Sequence, residues 1–301
     1  MRSLLIALFF VYGSTAQEID FKGSVIAADT NEPIPFVNLS FLNTFKGTST
    51  NEDGVFNMEL AKEYLNTTIH ISSLGYKDTI VSAQWLYTKK KIALLTDSFA
   101  LEEVVLTENL TDSYFLNPVA SRSITSGFTS SSTPWVLALY FPNEEEGERI
   151  ASSITVYFQK DKKFKRDIAK FRLRLYSVDP VTKEPNVDLL RKSIVLETQM
   201  NKEFVRIDIA DFGVKFPKDG LFIGLEWLFV PYNWYTETVV HPTSNQAVLE
   251  DRFAPTFGGI YQENKKYKLM VYGMGVWRDF GVTSPDDSKN LVPAISLKVS
   301  K

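Results

Sequence analysis

Carboxylates and aromatic rings are the residues of this chain that could do chemistry, because it has two histidines and no cysteine. A zinc site takes three or four ligands, usually from those two residue types, and a Ser-His-Asp triad would have to use His70 or His241. His70 alternates with Ile69 and Ile71, so its side chain is predicted to point from a strand into solvent. His241 precedes Pro242 in a predicted loop. The sequence therefore predicts no metal, no cofactor and no catalytic residue.

Paired carboxylates leave one enzymatic alternative, the hydrolysis of a glycosidic bond, which needs no histidine. Glu226 lies inside an apolar run, and Glu250 and Asp251 follow it in a predicted loop. The competing interpretation pairs Glu226 with a basic residue such as Arg172 or Arg174. A chain with 36 acidic residues offers many such carboxylate pairs. The sequence therefore favours a protein that is not an enzyme.

Four aromatic residues form the strongest candidate for a binding site. Trp227 ends an apolar run, and Tyr232, Trp234 and Tyr235 open a long predicted loop that reaches Lys266. Long loops in compact β-domains are often functional, and exposed aromatic faces bind ligands or other proteins. The alternative is that the three loop residues fold back and cap the core.

Strands are predicted to position these residues. Period-two alternation, typical of half-solvated antiparallel strands, occurs in four segments, Ile69–Ser73, Phe171–Tyr176, Phe204–Ile209 and Ile295–Val299. Continuous apolar runs, typical of strands covered on both faces, occur at Trp135–Phe141, Ile154–Phe158 and Leu221–Val230. Helical periodicity is rare, and the best candidate is one turn at Leu60–Leu65. The fold class is predicted to be all-β.

The first residues predict export. Arg2 precedes the apolar run Leu4–Tyr12, and small residues follow at Ser14-Thr15-Ala16. The run is far shorter than the ~20 residues that span a bilayer, so residues 1–16 are predicted to be a signal peptide. No later segment is predicted to cross a membrane, and a chain without cysteine is not a lipoprotein. We expect a periplasmic or cell-surface protein. The balance of 33 basic and 36 acidic residues argues against nucleic acid as a partner.

Three blocks in the N-terminal part carry a family resemblance. They are Phe21–Val25 with Glu32–Phe41, then Gly47–Phe56, then Ile71–Asp78, with Leu101–Leu106 as the closing segment. These blocks resemble the carboxypeptidase regulatory-like domain of exported Bacteroidetes proteins and the N-terminal extension of their TonB-dependent receptors. The resemblance implies a seven-stranded prealbumin-like β-sandwich over residues 17–106, without peptidase activity. The chain after Leu106 is too short for a receptor's plug and barrel, so we expect no such transporter.

Within these blocks, Asn51–Gly54 is a tight-turn signal and is predicted to close a hairpin between Thr48–Thr50 and Val55–Met58. Residues 107–132 are rich in serine and threonine towards their end, and are predicted to be a linker or an exposed edge segment.

Residues 133–301 are predicted to form a jelly-roll-like β-sandwich of eight or so strands. They resemble an uncharacterised exported β-sandwich module through Tyr140–Asn143, Phe171–Tyr176, Asp188–Leu190 and Gly220–Trp227. The functional hypothesis is a non-catalytic binding protein that holds a glycan through this second unit. The first alternative is an envelope structural or assembly protein that recognises another protein through strand edges. The second alternative is a glycosidase. The sequence leaves the oligomeric state open.

Overall fold

The computed structural model describes residues 17–97 and 112–300, apart from 132, 146, 161–163, 191, 200, 241–245, 264–265, 274 and 285. The predicted signal peptide, His241 and the segment Leu101–Leu106 lie outside the described residues. The part of the chain that is described is an all-β structure of several sheets, as the sequence predicts. Its helices are all short, and none of them could reach across a bilayer.

Residues 17–97, called here the N-terminal sandwich, form two sheets. The elements are β1 Glu18–Ala27, β2 Asn38–Phe41, β3 Gly47–Ser49, β4 Val55–Ala61, a 3-10 turn Lys62–Asn66, β5 Thr68–Ser72, β6 Thr79–Ser82, α1 Ala83–Lys89 and β7 Lys91–Leu94. One sheet has the order β4-β1-β7 and the other β3-β2-β5-β6. Phe21 and Phe56 of the first sheet pack against Phe41 and Ile69 of the second, so the core lies between the sheets.

Residues Asn51–Gly54 form a tight turn, as predicted, but the turn does not close a hairpin. Gly54 has a φ of +70°, and the side-chain oxygen of Asn51 accepts a hydrogen bond from the Val55 N–H at 2.9 Å. The predicted hairpin is wrong, however, because β3 pairs with β2 while β4 pairs with β1. The turn therefore carries the chain from one sheet of the sandwich to the other.

Two short helical segments occur in the N-terminal sandwich. The 3-10 turn Lys62–Asn66 overlaps the turn predicted at Leu60–Leu65. Helix α1 was not predicted, since seven residues are too few to establish a period. A serine at position 82 is a sequence signal for the start of this helix. Its hydroxyl accepts a hydrogen bond from the Trp85 N–H at 3.4 Å, so Ser82 is the N-cap.

Residues 112–300, called here the C-terminal unit, contain more strands than the eight or so expected. They are β8 Ser113–Leu116, β9 Ser126–Ser130, β10 Val136–Phe141, β11 Ile150–Tyr157, β12 Ile168–Val178, β13 Pro185–Asp188, β14 Ile194–Gln199, β15 Phe204–Asp208, β16 Leu221–Trp227, β17 Trp234–Val240, β18 Ala247–Gln262, β19 Leu269–Gly273, β20 Val276–Asp279, β21 Asn290–Pro293 and β22 Ile295–Ser300. Two 3-10 turns, Ser121–Ser123 and Ala210–Phe212, complete the described elements. The jelly-roll order of the strands stays a prediction.

Three sheets make up the C-terminal unit. The largest has the order β13-β12-β16-β10-β19-β20, with β14 also paired to β12; the others are β15-β11-β22-β8 and β17-β18-β21, with β9 paired to β18. Side chains from all three sheets, including Leu225, Leu297 and Phe257, meet in one large apolar core. The largest sheet turns its other face towards the N-terminal sandwich.

The segment assigned to a linker is structured over most of its described length. Strand β8 pairs with β22, and β9 pairs with β18. These residues are therefore not a linker, and β8 forms the edge of its sheet, which agrees with the alternative of an exposed edge segment. Residues 107–111 lie outside the described part of the chain. The serine- and threonine-rich composition predicted a linker wrongly, because these residues can occupy a strand whose main-chain groups are paired with a neighbouring strand. Phe128, the one large apolar residue of β9, inserts into the core.

The prediction of a long loop after Trp227 is also wrong, because strands β17 and β18 occupy most of this segment. Strands β17 and β18 form an antiparallel ribbon that pairs Trp234 with Phe253 and Val240 with Ala247. Residues 241–245 between them are outside the described residues. The β17 residues alternate between more and less exposed positions, the pattern of a half-covered strand. Only a turn from 228 to 233 separates β16 from this ribbon.

The two units meet along β2, β3 and the turn after β16. The Phe229 N–H donates to the Ser49 hydroxyl at 2.9 Å, and Phe229 O accepts from the Ser49 N–H at 3.3 Å. Phe36 packs against Leu228 and Val230 in a small apolar cluster. This junction positions the candidate site.

Candidate functional site

A group of charged side chains is buried where the largest sheet faces the N-terminal sandwich. Arg172 of β12 lies directly opposite Glu226 of β16, and both side chains are inaccessible to solvent. The Arg172 Nη1 donates to Glu226 Oε1 at 2.8 Å, and Arg174 Nη1 donates to Glu226 Oε2 at 3.1 Å. The sequence interpretation that pairs Glu226 with these arginines is confirmed.

The N-terminal sandwich supplies the remaining partners of this group. The Phe36 carbonyl accepts from Arg172 Nη2 at 2.5 Å, and the Asn38 amide donates to Glu226. The half-solvated reading of Phe171–Tyr176 is therefore wrong. Its alternation is real, but the polar face is covered by the other unit of the same chain instead of by water.

A second carboxylate balances the charge of the group. Arg174 Nε donates to Asp188, whose other oxygen accepts from the Leu190 N–H at 2.9 Å. Burial raises the pKa of Asp188, although the Arg174 guanidinium acts against this shift. Two arginines and two carboxylates make the group neutral, which limits the cost of burying it.

The two arginines respond differently to their surroundings. Burial lowers the pKa of Arg172, and the neighbouring Glu226 opposes that change. Burial also acts to lower the pKa of Arg174, but Tyr176, Asp188 and Glu226 outweigh it and raise the pKa. Both guanidinium groups remain charged, because arginine is not deprotonated in proteins.

A cleft of about 460 Å³ opens beside this group, between the two units. Three aromatic residues, Tyr176, Tyr272 and Trp277, form its wall in the C-terminal unit. The Trp277 ring contacts the Tyr176 ring edge-on at a centroid distance of 5.3 Å, and the Tyr272 ring at 5.2 Å. Arg174 lies over the Tyr176 ring at 5.2 Å. The wall therefore combines apolar ring surface with a cation and a carboxylate.

Local structure explains how these rings come together. Tyr272 and Trp277 are directly opposite each other in the β19–β20 hairpin, whose turn contains Gly275 with a φ of +85°. Gly224 of β16 leaves room for Tyr176, since a Cβ there would approach its ring to 2.9 Å. Burial raises the pKa of the Tyr176 and Tyr272 hydroxyls, so both stay protonated at neutral pH.

The opposite wall belongs to the N-terminal sandwich and includes Asp78, whose carboxylate contacts His70. His70 is buried, its Nε2 lies 3.1 Å from Asp78 Oδ2, and its Nδ1 lies 3.4 Å from the Tyr272 hydroxyl. The prediction that His70 points into solvent is wrong. The C-terminal unit covers the outer face of β5, just as the N-terminal sandwich covers Arg172.

Two of the four predicted binding residues are in the core. Trp227 is buried, its indole N–H donates to the Pro255 carbonyl at 2.9 Å, and its ring packs on Phe257. Tyr235 is buried against Phe164, with ring centroids 5.4 Å apart. A ligand on the surface would not reach these two rings, so their assignment to a binding site is corrected.

The other two predicted residues face different surroundings. The Tyr232 hydroxyl donates to Glu52 Oε1 at 3.2 Å, and Lys170 lies over its ring at 5.1 Å. Trp234 is 43% exposed and its indole N–H donates to Asp251 Oδ1 at 2.9 Å. Trp234 lines a second groove on another side of the junction. The structure therefore does not bring the predicted set together.

The cleft residues that the sequence did not single out are Tyr272 and Trp277, and it assigned no site role to Arg174 or Asp188. A signal for the first two exists, because a tyrosine and a tryptophan flank a glycine-containing turn at hairpin spacing. No sequence signal places this hairpin beside Asp188, since that depends on the order of strands in the sheet.

Residues 21–106 match the family model described as CarboxypepD_reg-like domain. The match includes β2 and β5, which supply Asn38 and His70 to the junction, and the connection from β5 to β6, which supplies Asp78. Its description is that of a regulatory-like domain. No curated protein matches the chain.

Proposed function

We propose that this protein, which carries a carboxypeptidase regulatory-like domain over residues 21–106, is a non-catalytic binding protein whose junction cleft holds a glycan. The observation that carries the proposal is the wall formed by Tyr176, Tyr272 and Trp277 next to the Arg174–Asp188 ion pair. The cleft's volume of about 460 Å³ falls within the range of small-ligand sites, roughly 300–1,000 Å³.

A sugar ring suits such a wall because it has both apolar faces and polar hydroxyl groups, and the wall has both aromatic rings and charged side chains. The C–H faces of a pyranose are apolar and pack on aromatic rings, while its hydroxyls need donors and acceptors fixed in place. Arg174 offers donors and Asp188 offers acceptors at one end of the cleft. Asp78 offers a further acceptor from the N-terminal sandwich, where its side chain is 60% exposed.

Fixed geometry supports binding at this place. The arginines and Glu226 are held by hydrogen bonds from both units, so the polar groups at the wall are oriented before a ligand arrives. Preorganisation of this kind lowers the entropic cost of binding. A site shared by two units also explains why the buried ion pairs lie at the junction and not elsewhere in the sheet.

The glycosidase alternative gains little support from these contacts. Glu226 accepts hydrogen bonds from Arg172, Arg174 and Asn38, and only 1% of its surface is exposed, so its carboxylate is engaged by groups of the protein itself. Asp251 accepts from the Trp234 indole, and Glu250 pairs with Arg252 at 2.8 Å. These carboxylates act as structural partners in the proposal.

Export to the periplasm or the cell surface remains part of the proposal and rests on the predicted signal peptide. The resemblance to exported Bacteroidetes proteins points to the same compartment. Glycans are abundant ligands there, which agrees with the chemistry of the cleft.

A glycan array tests the proposal with two matched tryptophan variants. The wild type is expected to bind a defined subset of glycans, Trp277→Ala to lose that binding at least about tenfold, and Trp234→Ala to keep it. Both tryptophans are partly exposed but lie in different grooves, so each variant controls for the other. Loss of binding in Trp234→Ala together with full binding in Trp277→Ala would reject the cleft. No binding to any glycan by the wild type would reject the ligand class.

A further inference from the structure

The free edge of strand β4 faces the groove that contains Trp234. In its sheet of order β4-β1-β7, β4 pairs with β1 alone among the described strands. Val55, Asn57, Met58 and Glu59 of β4 line a groove of about 1260 Å³, whose other wall includes Trp234. Asn57 and Glu59 are exposed.

The direction of the main-chain groups along β4 follows from Val55. Its N–H donates to Asn51 Oδ1 at 2.9 Å, and its carbonyl accepts from the Asn51 N–H at 2.8 Å, so both groups point away from β1. In a strand, alternate residues direct their main-chain groups to the same side. The β1–β4 register has no shift, so the N–H and C=O groups of Asn57 and Glu59 also point into the groove.

An unpaired edge of this kind is a template for another strand. Two edge residues in this register offer two donors and two acceptors, the set that one antiparallel partner segment uses. Edges are commonly protected by lysine, proline or a bulge. Strand β4 has none of these between Val55 and Ala61.

The charges around this edge indicate the partner's chemistry. Asp20 of β1 lies directly opposite Glu59 of β4, and like charges at such positions repel each other. Glu18, Glu250 and Asp251 add acidic groups to the groove, against Lys46 and Arg166. Lys22 lies opposite Asn57 on the same face as Asp20, and Arg252 pairs with Glu250. A basic side chain on an incoming strand would relieve the repulsion between Asp20 and Glu59.

We propose that the β4 edge binds an extended basic segment of a partner protein by strand addition, a function separate from glycan binding. The main-chain groups of Asn57 and Glu59 pair with the segment, and Glu59 with Asp20 receives its lysine or arginine. Alternate side chains of the segment face the wall that carries Trp234. Pairing of β4 with a second copy of itself is disfavoured, because it would bring two acidic edges together.

The probe is a fluorescein-labelled octapeptide that alternates lysine and valine, measured by fluorescence polarisation with the purified protein. Saturable binding is expected, and two control peptides are expected to bind at least about tenfold more weakly. The first alternates glutamate and valine, which reverses the charge. The second is the lysine peptide N-methylated at every second residue, which removes its main-chain donors.

Two variants of one residue separate main-chain from side-chain recognition. Asn57→Ala keeps the outward N–H and is expected to bind like the wild type. Asn57→Pro removes that N–H without breaking the pairing to β1, and is expected to bind at least about tenfold more weakly. If the proline variant does not fold, the N-methylated peptide tests main-chain pairing on the wild-type protein instead.

Three results would overturn the proposal. They are no binding of the lysine peptide at about 1 mM, equal binding of the N-methylated peptide, and self-association that Asn57→Pro abolishes. None of these results affects the glycan-array test, because the cleft wall and the β4 edge share no residue.

Discussion

The guanidinium group of Arg172 donates a hydrogen bond to the main-chain carbonyl of Phe36 at 2.5 Å, and this bond joins the two units of the chain. The two residues are 136 positions apart in the sequence. Arg172 is held on its other side by Glu226, so an ion pair within one unit is completed by a carbonyl of the other. The junction is therefore a polar interface with satisfied partners, in which both units lose hydrogen bonds if they separate.

Removal of Arg172 tests the contribution of this group to stability. Arg172→Met leaves the Glu226 carboxylate buried with one guanidinium fewer, and the free energy of unfolding is expected to fall by about 3–5 kcal/mol. Urea unfolding followed by tryptophan fluorescence measures the change. Lys160→Met is the control, because the Lys160–Glu203 pair is exposed and contributes about 0–1 kcal/mol. Equal unfolding midpoints for the two variants would contradict a structural role for the buried pair.

Gly23 of β1 tests the packing of the N-terminal sandwich. A Cβ at this position would lie 2.6 Å from the Lys90 carbonyl oxygen and 2.7 Å from the Phe56 ring. Gly23→Ala is therefore expected to cost about 1–3 kcal/mol through overpacking. Gly281→Ala is the matched control, because no atom lies within 4 Å of the Cβ it would add. Thermal unfolding of both variants measures the difference, and an unchanged melting temperature for Gly23→Ala would contradict this packing.

Asn233 fixes the short turn between β16 and β17. Its side chain accepts from the Lys170 N–H at 3.0 Å and donates to the Lys170 and Leu228 carbonyls at 2.7 and 2.9 Å. Asn233→Ala leaves these buried groups without partners and is expected to cost about 3 kcal/mol. Asn186→Ala, at an exposed position, is expected to leave the urea midpoint unchanged. A midpoint for Asn233→Ala equal to that of Asn186→Ala would show that the turn does not depend on this side chain.

The pH dependence of Asp286 follows from its hydroxyl neighbours. Hydrogen bonds from Ser284 and Ser288 lower the pKa of Asp286 from 3.8 to about 2. Because the folded-state pKa is the lower one, its contribution to stability is present above pH 3.8 and is lost as the pH falls towards 2. An NMR titration of the carboxyl carbon measures the value directly.

The matched variant for this titration is Ser284→Ala, which removes the largest cause of the shift. Its Asp286 pKa is expected to rise towards 3.8 while the fold is unchanged. A wild-type titration centred near 3.8 would contradict the hydrogen-bonded turn.

The sequence predicts strands well where their side chains are buried only by residues of the same unit. The apolar run Leu221–Val230 contains β16, and Ile295–Val299 lies in β22, because the apolar residues of both strands pack into cores of the C-terminal unit. The end of the run differs, since Leu228 and Val230 pack on Phe36 of the N-terminal sandwich. The half-solvated pattern predicted for Ile295–Val299 is wrong, because Ser296 is buried as well. The resemblance of residues 21–106 to a carboxypeptidase regulatory-like domain is confirmed, and turn and core residues carry its motifs.

Prediction fails where one unit covers the other. Arg172 and His70 alternate with apolar residues, and alternation alone assigns them to solvent. Both are buried, because each unit supplies the partner of the other's polar face. The same limit applies to the cleft. Tyr176 and Trp277 are 101 positions apart (277 − 176), and nothing in the local sequence predicts that β12 and β20 end beside one cleft.

The proposed ligand site is shared by both units of the chain, and a calorimetric titration measures the contribution of each unit. A glycan that the array identifies is titrated into the wild type and into Asp78→Ala, Trp277→Ala and Trp234→Ala. Asp78 belongs to the N-terminal sandwich and Trp277 to the C-terminal unit, and both line the cleft. Asp78→Ala and Trp277→Ala are each expected to weaken binding at least about tenfold, while Trp234→Ala leaves it unchanged. Wild-type affinity in either Asp78→Ala or Trp277→Ala would contradict a shared site.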